Sequence, residues 1–400
     1  MAPTNLPAAA AAAVSKAATA TTAAPVTAFQ PRQVFEGSPN ITRSYFLGHH
    51  QAALSRMQRT LSTVGLIIEC RDFRVPLTSW NPLIERSLAG TSAERARIIV
   101  YTKRDLGPPA RGGPQHQQSG SEIVDALTRF HRERGHAAEV VFLGQGSSGG
   151  GRGNVDGKLL EAVKRVARDA DVLTGLKALV VGMPNAGKST LLNRLRSRGM
   201  GPGMAKAART GAQPGVTRKL GTPVRIVRGG DDDGVGGEGV FVLDTPGVFV
   251  PYVSDAESML KLALVGCVKD GLVPHVAVAD YLLFHLNKRD PALYARFCAP
   301  TNEVEVFLEG VARRTGKLLR GGVPSLEGAA DWIVQEWRRG DLGRFVLDEV
   351  TPATLDAIVA AAREPVLSMN QARKRDKEMR KAKIDAKRLG LPAVQPSSGV

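Results

Sequence analysis

The chain has 400 residues, 43% of them hydrophobic, and its 54 Lys and Arg against 38 Asp and Glu give a formal charge of +16. That length allows about two domains and a sizeable core, and a pI near 10.1 points to a polyanionic partner, nucleic acid before membrane. Cys70, Cys267 and Cys298 show no C-x-x-C spacing, which excludes a zinc ribbon and a disulfide framework, and no apolar run reaches the roughly 18 residues of a transmembrane helix.

Residues 1–35 contain no Asp or Glu and are rich in Ala and Thr, the composition of an organelle transit segment; the competing reading is a low-complexity tail. Residues 1–40 are expected to be a disordered transit segment. From Ser44 an aromatic lead enters an amphipathic helix with Ala53, Leu54, Met57 and Leu61 on its core side. A strand is expected at 64–69, then a turn-rich connection through Arg71-Asp-Phe-Arg-Val-Pro76 and Trp80-Asn-Pro82. A second strand, Arg97-Ile-Ile-Val-Tyr101, runs into Thr102-Lys-Arg-Asp105. A loop at 107–120, a helix at 121–134, a strand at 139–143, a flexible stretch at 144–153 and a helix at 157–170 follow.

The next stretch, Lys177 to Thr190, is an apolar strand ending in Gly182-Met-Pro-Asn-Ala-Gly-Lys-Ser189 and opening a helix. This is G-x-x-x-x-G-K-[ST] in its required strand-and-helix setting. Backbone N–H groups of Asn185, Ala186, Gly187 and Thr190 would cradle phosphate oxygens at a helix N-terminus. Lys188 would reach the β- and γ-phosphates and Ser189 would ligate Mg²⁺. The chain is expected to bind a nucleoside triphosphate.

Beyond it lie Gln213-Pro-Gly-Val-Thr-Arg218, a strand at 222–227, an acidic Gly-rich tip at 229–239 and Val240-Phe-Val-Leu-Asp-Thr-Pro-Gly247. Asp244 and Gly247 fit the D-x-x-G of a GTPase, with Asp244 on Mg²⁺ and the Gly247 N–H sensing the γ-phosphate. Thr217 suits the switch threonine that completes the Mg²⁺ shell when triphosphate is bound. Residues 255–345 have helical spacing, and 371–388 carry a basic run that reads as a solvated helix or arm. The expected organisation is a GTPase domain at 41–250, a helical domain at 251–345 and a basic tail at 346–400.

Guanine recognition needs a carboxylate beyond the C-terminal end of a sheet strand. Asn287-Lys-Arg-Asp290 matches the usual N-K-x-D better, but its upstream residues have helical period with Asp280 and His285 among apolar positions. Thr102, Lys103 and Asp105 follow a strand and are chosen instead. The fold class is then α/β, a P-loop GTPase domain with circularly permuted motif order followed by a small all-helical domain. Permutation is physically cheap because domain termini usually lie close together.

In that order the chain resembles the circularly permuted YlqF/RbgA-like ribosome-assembly GTPases, in their mitochondrial branch, over roughly residues 44–345. The resemblance is carried by Tyr45-Phe-Leu-Gly-His49, Glu69-Cys-Arg-Asp-Phe-Arg-Val-Pro76 with Asn81-Pro82, Thr102–Asp105, Gly182–Ser189, Pro214–Thr217, Asp244–Gly247, Lys261–Leu264 and Ala279–Leu283. It implies GTP hydrolysis with Mg²⁺, coupled to binding of rRNA and the large subunit of the mitochondrial ribosome. It also implies a matrix location, peripheral on the inner membrane without a spanning segment, and a monomer is expected. Two positions depart from the family: its base-motif Asn is Thr102, and its short base-contacting loop is replaced by a Gly/Ser stretch around Gly146-Ser147-Ser148.

Many GTPases follow D-x-x-G with a Gln that orients the attacking water. Here Val248 stands there, so slow intrinsic hydrolysis, stimulated by the ribosome, is expected. The resemblance places His49 at the family's proposed catalytic histidine, an imidazole able to orient or deprotonate water, and Asn185 at an asparagine that helps bind K⁺. The competing functions are a P-loop ATPase or kinase and an RNA-binding scaffold with vestigial nucleotide binding.

Overall fold

The computed structural model describes residues 29–36, 41, 48–89, 95–111, 118–135, 137–144, 155–201, 208, 222–230, 234–248, 253 and 256–363, with 371, 374, 378 and 381 in the basic run. Thr217, the Gly/Ser stretch at 146–148 and the tip at 231–233 lie outside them, as do the side chains of 48–53.

Six strands form one sheet: β1 (Leu66–Asp72), β2 (Ala96–Thr102), β3 (Glu139–Phe142), β4 (Leu176–Gly182), β5 (Val224–Gly230) and β6 (Val235–Asp244). Their spatial order is β3-β2-β1-β4-β6-β5, parallel throughout except for the β5–β6 hairpin. The helices around it are α1 (Gly48–Leu61), α2 (Pro82–Ala89), α3 (Gly120–Glu133), α4 (Val155–Ala170) and α5 (Lys188–Met200).

Alternation along the strands explains why they read as unbroken apolar runs. Leu66, Ile68, Ile98, Val100, Ala178 and Val180 pack with Leu159, Val163, Leu191 and Leu195 of α4 and α5. Their neighbours Ile67, Leu179 and Val181 pack with Leu54, Met57 and Leu61 of α1 and Ile84 of α2. Ile99 and Tyr101 meet Ile123, Leu127 and Phe130 of α3. A sheet covered on both faces needs apolar residues at every position, and each fully buried Leu or Ile contributes about 1.5–3 kcal/mol.

The first strand runs two residues past its apolar part because its charges are paired in place. Arg71 donates to Glu69 at 2.6 Å and lies 4.4 Å over the Trp80 ring, while Arg97 bonds both Glu69 and Glu85. The connection expected to be turn-rich also holds α2, whose Pro82 opens the helix while the Asn81 side chain accepts the Leu83 N–H at 3.0 Å.

After β6 come α6 (Ala256–Leu264), α7 (His275–Arg289), α8 (Val304–Thr315), α9 (Leu326–Arg339) and α10 (Pro352–Arg363). Leu260, Leu282, Phe307, Ile333 and Trp337 of α6 to α9 share one core. Two expected boundaries need correction. Residues 346–363 are not tail: Leu355 and Val359, one turn apart on α10, are buried with Phe73, Tyr101 and Leu127, and the Thr351 hydroxyl accepts the Thr354 N–H at 3.2 Å to start the helix. At the other end, 31–36 is not a free segment. Arg32 pairs with Asp280 of α7 at 2.5 Å, and Phe35 meets Tyr281 edge-on, 5.1 Å between centroids. Among the described residues no helix is long and apolar enough to cross a membrane.

Candidate nucleotide-binding site

The phosphate loop connects β4 to α5. Gly187 takes φ 82 at the N-cap of α5, a left-handed conformation that suits glycine, and Asn185 holds φ 56. Lys188 is buried, and its Nζ donates to the carbonyls of Met183 at 2.8 Å and Gly182 at 3.3 Å. The lysine is thus folded over its own loop. Burial lowers its pKa, with Asp244 pulling the other way. Ala186 is buried and Thr190 exposed on the first turn of α5.

At the end of β6 the Asp244 carboxylate reaches α5, accepting the Ser189 hydroxyl at 2.6 Å through Oδ2. Its Oδ1 is buried and has no hydrogen-bond partner among the described residues. Burial raises the Asp244 pKa, against the Ser189 hydrogen bond and Lys188. Gly247 crosses so close to the loop that a Cβ there would lie 2.5 Å from the Pro184 nitrogen. The Val248 N–H donates to the Gly182 carbonyl at 3.2 Å, and Asn81 Nδ2 donates to the Val248 carbonyl at 2.7 Å.

These groups fit Mg²⁺. The ion is usually held by one or two carboxylates together with substrate phosphates and waters, and a hydroxyl beside a carboxylate with one unpaired oxygen is such a donor set. When bound it would neutralise charge on the β- and γ-phosphate oxygens.

The end of β2 closes over the same loop. Thr102 Oγ1 lies 3.0 Å from the Ala186 carbonyl and 3.2 Å from that of Arg71, positioned to donate. Lys103, in the left-handed region at φ 57, donates Nζ to the Asn185 carbonyl at 2.8 Å and to Asp72 at 2.7 Å. Asp105 follows in a short 3-10 turn, and Gly144 after β3 lies against it. The structure therefore brings together Thr102, Lys103, Asn185–Thr190, Asp244 and Gly247, with Asp105 at the edge. His49 lies in the first turn of α1. The rejected Asn287–Asp290 stretch is the end of α7 and the turn after it: Asn287 Nδ2 donates to the Thr301 carbonyl at 2.8 Å and Asp290 caps the next turn through the Ala292 N–H at 2.8 Å.

Sequence reasoning gave no role to Asp72, Arg74 or Arg194. Asp72 binds Lys103, and Arg194 of α5 pairs with Asp156 at 2.7 Å while donating to the Gly144 carbonyl at 3.0 Å. The usable signal for the first two was a pair of charges, Asp72 and Arg74, at the end of an apolar strand.

Residues 177–298 match the family described as 50S ribosome-binding GTPase. Mitochondrial GTPase 1 of Schizosaccharomyces pombe is 35% identical over 328 residues, 81% of this chain and 94% of that protein. Mitochondrial ribosome-associated GTPase 1 of Mus musculus is 32% identical over 338 residues, 80% of this chain and 95% of that protein. Among solved structures, GNP-bound YlqF from T. maritima covers 75% of this chain and 98% of its own, at 22% identity and a TM-score of 0.45. The chain carries a P-loop GTPase domain of α/β type followed by helices, and on the strength of the Schizosaccharomyces pombe and Mus musculus relatives it belongs to the mitochondrial GTPase 1 family.

Proposed function

We propose that this GTPase is an assembly factor for the large subunit of the mitochondrial ribosome, its nucleotide state coupled to binding of rRNA and the subunit. The observation that carries the reading is the meeting of Thr102 and Lys103 with the Ala186 and Asn185 carbonyls. A strand end upstream in sequence is seated on the phosphate loop, where a guanine motif must sit. Thr102, Lys103 and Asp105 then bind guanine, the motif order is circularly permuted, and the D-x-x-G segment leads directly into the helices that follow.

Asn185 to Thr190 and Gly247 bind the phosphates, with Ser189, Thr217 and Asp244 toward Mg²⁺. Lys188 must leave the Met183 carbonyl to meet the phosphates, which have the stronger claim on a buried ammonium. A K⁺ dependence through Asn185 is tested by exchanging K⁺ for Na⁺ in a turnover assay. The protein acts as a monomer on the matrix side of the inner membrane, peripherally. The basic run at 371–388 supplies phosphate contacts to rRNA; deleting it should lower the slope of log affinity against log salt by about one per lost contact.

Co-sedimentation with large-subunit precursors is the direct test. Binding should be strong with a non-hydrolysable GTP analogue and weak with GDP, and Lys188→Ala should bind in neither state. Equal sedimentation with and without nucleotide would leave an RNA-binding scaffold.

A further inference from the structure

Two chains of contacts leave the base-motif lysine, and they end on consecutive residues of the helical part. In the first, Lys103 Nζ donates to Asp72 Oδ2 at 2.7 Å. Asp72 is fully buried and accepts the Arg74 guanidinium twice, Nε to Oδ1 at 3.0 Å and Nη2 to Oδ2 at 2.8 Å, and the Arg74 backbone N–H on Oδ1 at 3.0 Å. Arg74 Nη2 also donates to the Val265 carbonyl at 3.2 Å, and its guanidinium lies 5.0 Å over the Trp337 ring. In the second, Lys103 Nζ donates to the Asn185 carbonyl at 2.8 Å, and Asn185 Nδ2 donates to the Gly266 carbonyl at 2.6 Å. The same turn is clasped from α9, where Arg338 donates to the carbonyls of Leu264 at 2.9 Å and Ala263 at 2.7 Å.

We propose that Asp72 is the positioning residue of the base-motif lysine and that Arg74 is a bridge, beside the Asn185–Gly266 contact, through which occupancy of the guanine site is transmitted to the turn Ala263–Gly266. This rests on the reading of Thr102–Asp105 as the guanine motif. Arg74 Nη2 serves Asp72 and Val265 at once, so a shift of the carboxylate with Lys103 is carried to the turn. Only a planar fork can do this. A lysine at the same position would neutralise Asp72 but could not also hold Val265 and cover Trp337. Charge pairing alone would not explain the arrangement, because a buried ion pair is weak evidence of stabilisation; the geometry adds a path to an element that a ligand can bias.

The test is amide hydrogen exchange on the full chain with and without GDP, so that hydrolysis plays no part. In the wild type GDP should slow exchange at 183–188 and also at 263–268, each by about tenfold, the size of an ordinary coupling. Arg74→Lys should keep the effect at 183–188 and shrink it severalfold at 263–268, leaving only what the Asn185–Gly266 contact carries. Asp72→Asn should weaken GDP by about tenfold, a single charge-assisted hydrogen bond, and also shrink the distant effect at saturating GDP, giving a second readout if Arg74→Lys does not fold. A turn that responds as in the wild type in either variant overturns the proposal, as does a wild-type turn that ignores bound GDP. Absence of any GDP effect at 183–188 in the wild type would instead sink the nucleotide-site reading beneath it.

Discussion

The Ser189 hydroxyl donates to Asp244 Oδ2 across 2.6 Å, joining the first turn of α5 to the end of β6. The other oxygen, Oδ1, is buried with no hydrogen-bond partner among the described residues. An unpaired buried carboxylate oxygen is costly, and a cation at this point would relieve it. Ser189→Ala should therefore lower GTP affinity in Mg²⁺ by on the order of 10²-fold while changing it little in EDTA, measured by calorimetry in both buffers. The Asp244 pKa is raised by burial. The Mg²⁺-dependent gain should accordingly disappear, as pH falls, at a higher pH than an ordinary aspartate would give. Equal losses with and without Mg²⁺ would reduce Ser189 to a structural role.

The two candidate base motifs make opposite predictions. Asp105→Asn should weaken GTP and favour xanthosine triphosphate, because an amide donates where the carboxylate accepted. Asp290→Asn should leave the nucleotide preference unchanged. Its carboxylate accepts the Ala292 N–H at 2.8 Å, a cap that an Asn can still supply; Asp290→Ala should cost about 0.5–2 kcal/mol of stability. Competition between GTP and xanthosine triphosphate, with urea denaturation alongside, separates the two.

Much of this was legible because the phosphate loop, Asp244-Thr-Pro-Gly247 and Thr102–Asp105 all sit where an apolar strand stops, and strand ends are where such a sheet builds its sites. What was missed shares one cause. Pro82 fell in a connection expected to be turn-rich and Pro352 in the expected tail, yet each opens a helix behind a polar cap, Asn81 and Thr351. Asp72 and Arg74 fell in the same turn-rich connection and were given no role because their compensation is tertiary: Lys103, Val265 and Trp337 come from three other parts of the chain. The docking of Arg32 and Phe35 on α7 was hidden for the same reason, inside a stretch whose composition resembles a leader.

Acid sensitivity follows from the charges on β1. Burial alone would raise the Glu69 pKa, but Arg71 and then Arg97 outweigh it and lower it from 4.5 to about 2. Asp72 is likewise held below the usual carboxylate range, burial being overcome by Arg74 and Lys103. A depressed folded pKa gives stability that is complete above the unfolded value and lost as pH falls through the folded one. Stability should drop between about pH 4.5 and 2, Glu69 alone contributing on the order of 3 kcal/mol. Glu69→Gln should lower stability at pH 7, where it leaves Arg71 and Arg97 to share the Glu85 carboxylate alone, yet flatten the dependence over that window. Urea unfolding at pH 7, 4 and 3 measures both, and a mutant with the parental pH slope would refute the assignment.

Hydrolysis raises a different problem, because the position after D-x-x-G is closed. Val248 is 1% exposed and packs with Leu54, Met57 and Leu61 of α1, with its N–H on Gly182 and its carbonyl on Asn81. Restoring the usual glutamine should thus fail. Val248→Gln would bury an amide in an apolar cluster and should cost about 1–3 kcal/mol without raising turnover. The helix that packs on Val248 is the one whose first turn contains His49, so α1 links the water-orienting candidate to the end of the D-x-x-G segment. His49→Ala should leave GTP binding and subunit recruitment near normal and remove the ribosome-stimulated rate by on the order of 10²-fold. A deficit confined to binding would mark His49 as structural. Full stimulated turnover would move water orientation to the ribosome. His50→Ala is the control within the same turn: if that change, and not His49→Ala, abolishes stimulation, the catalytic role belongs one residue further along α1.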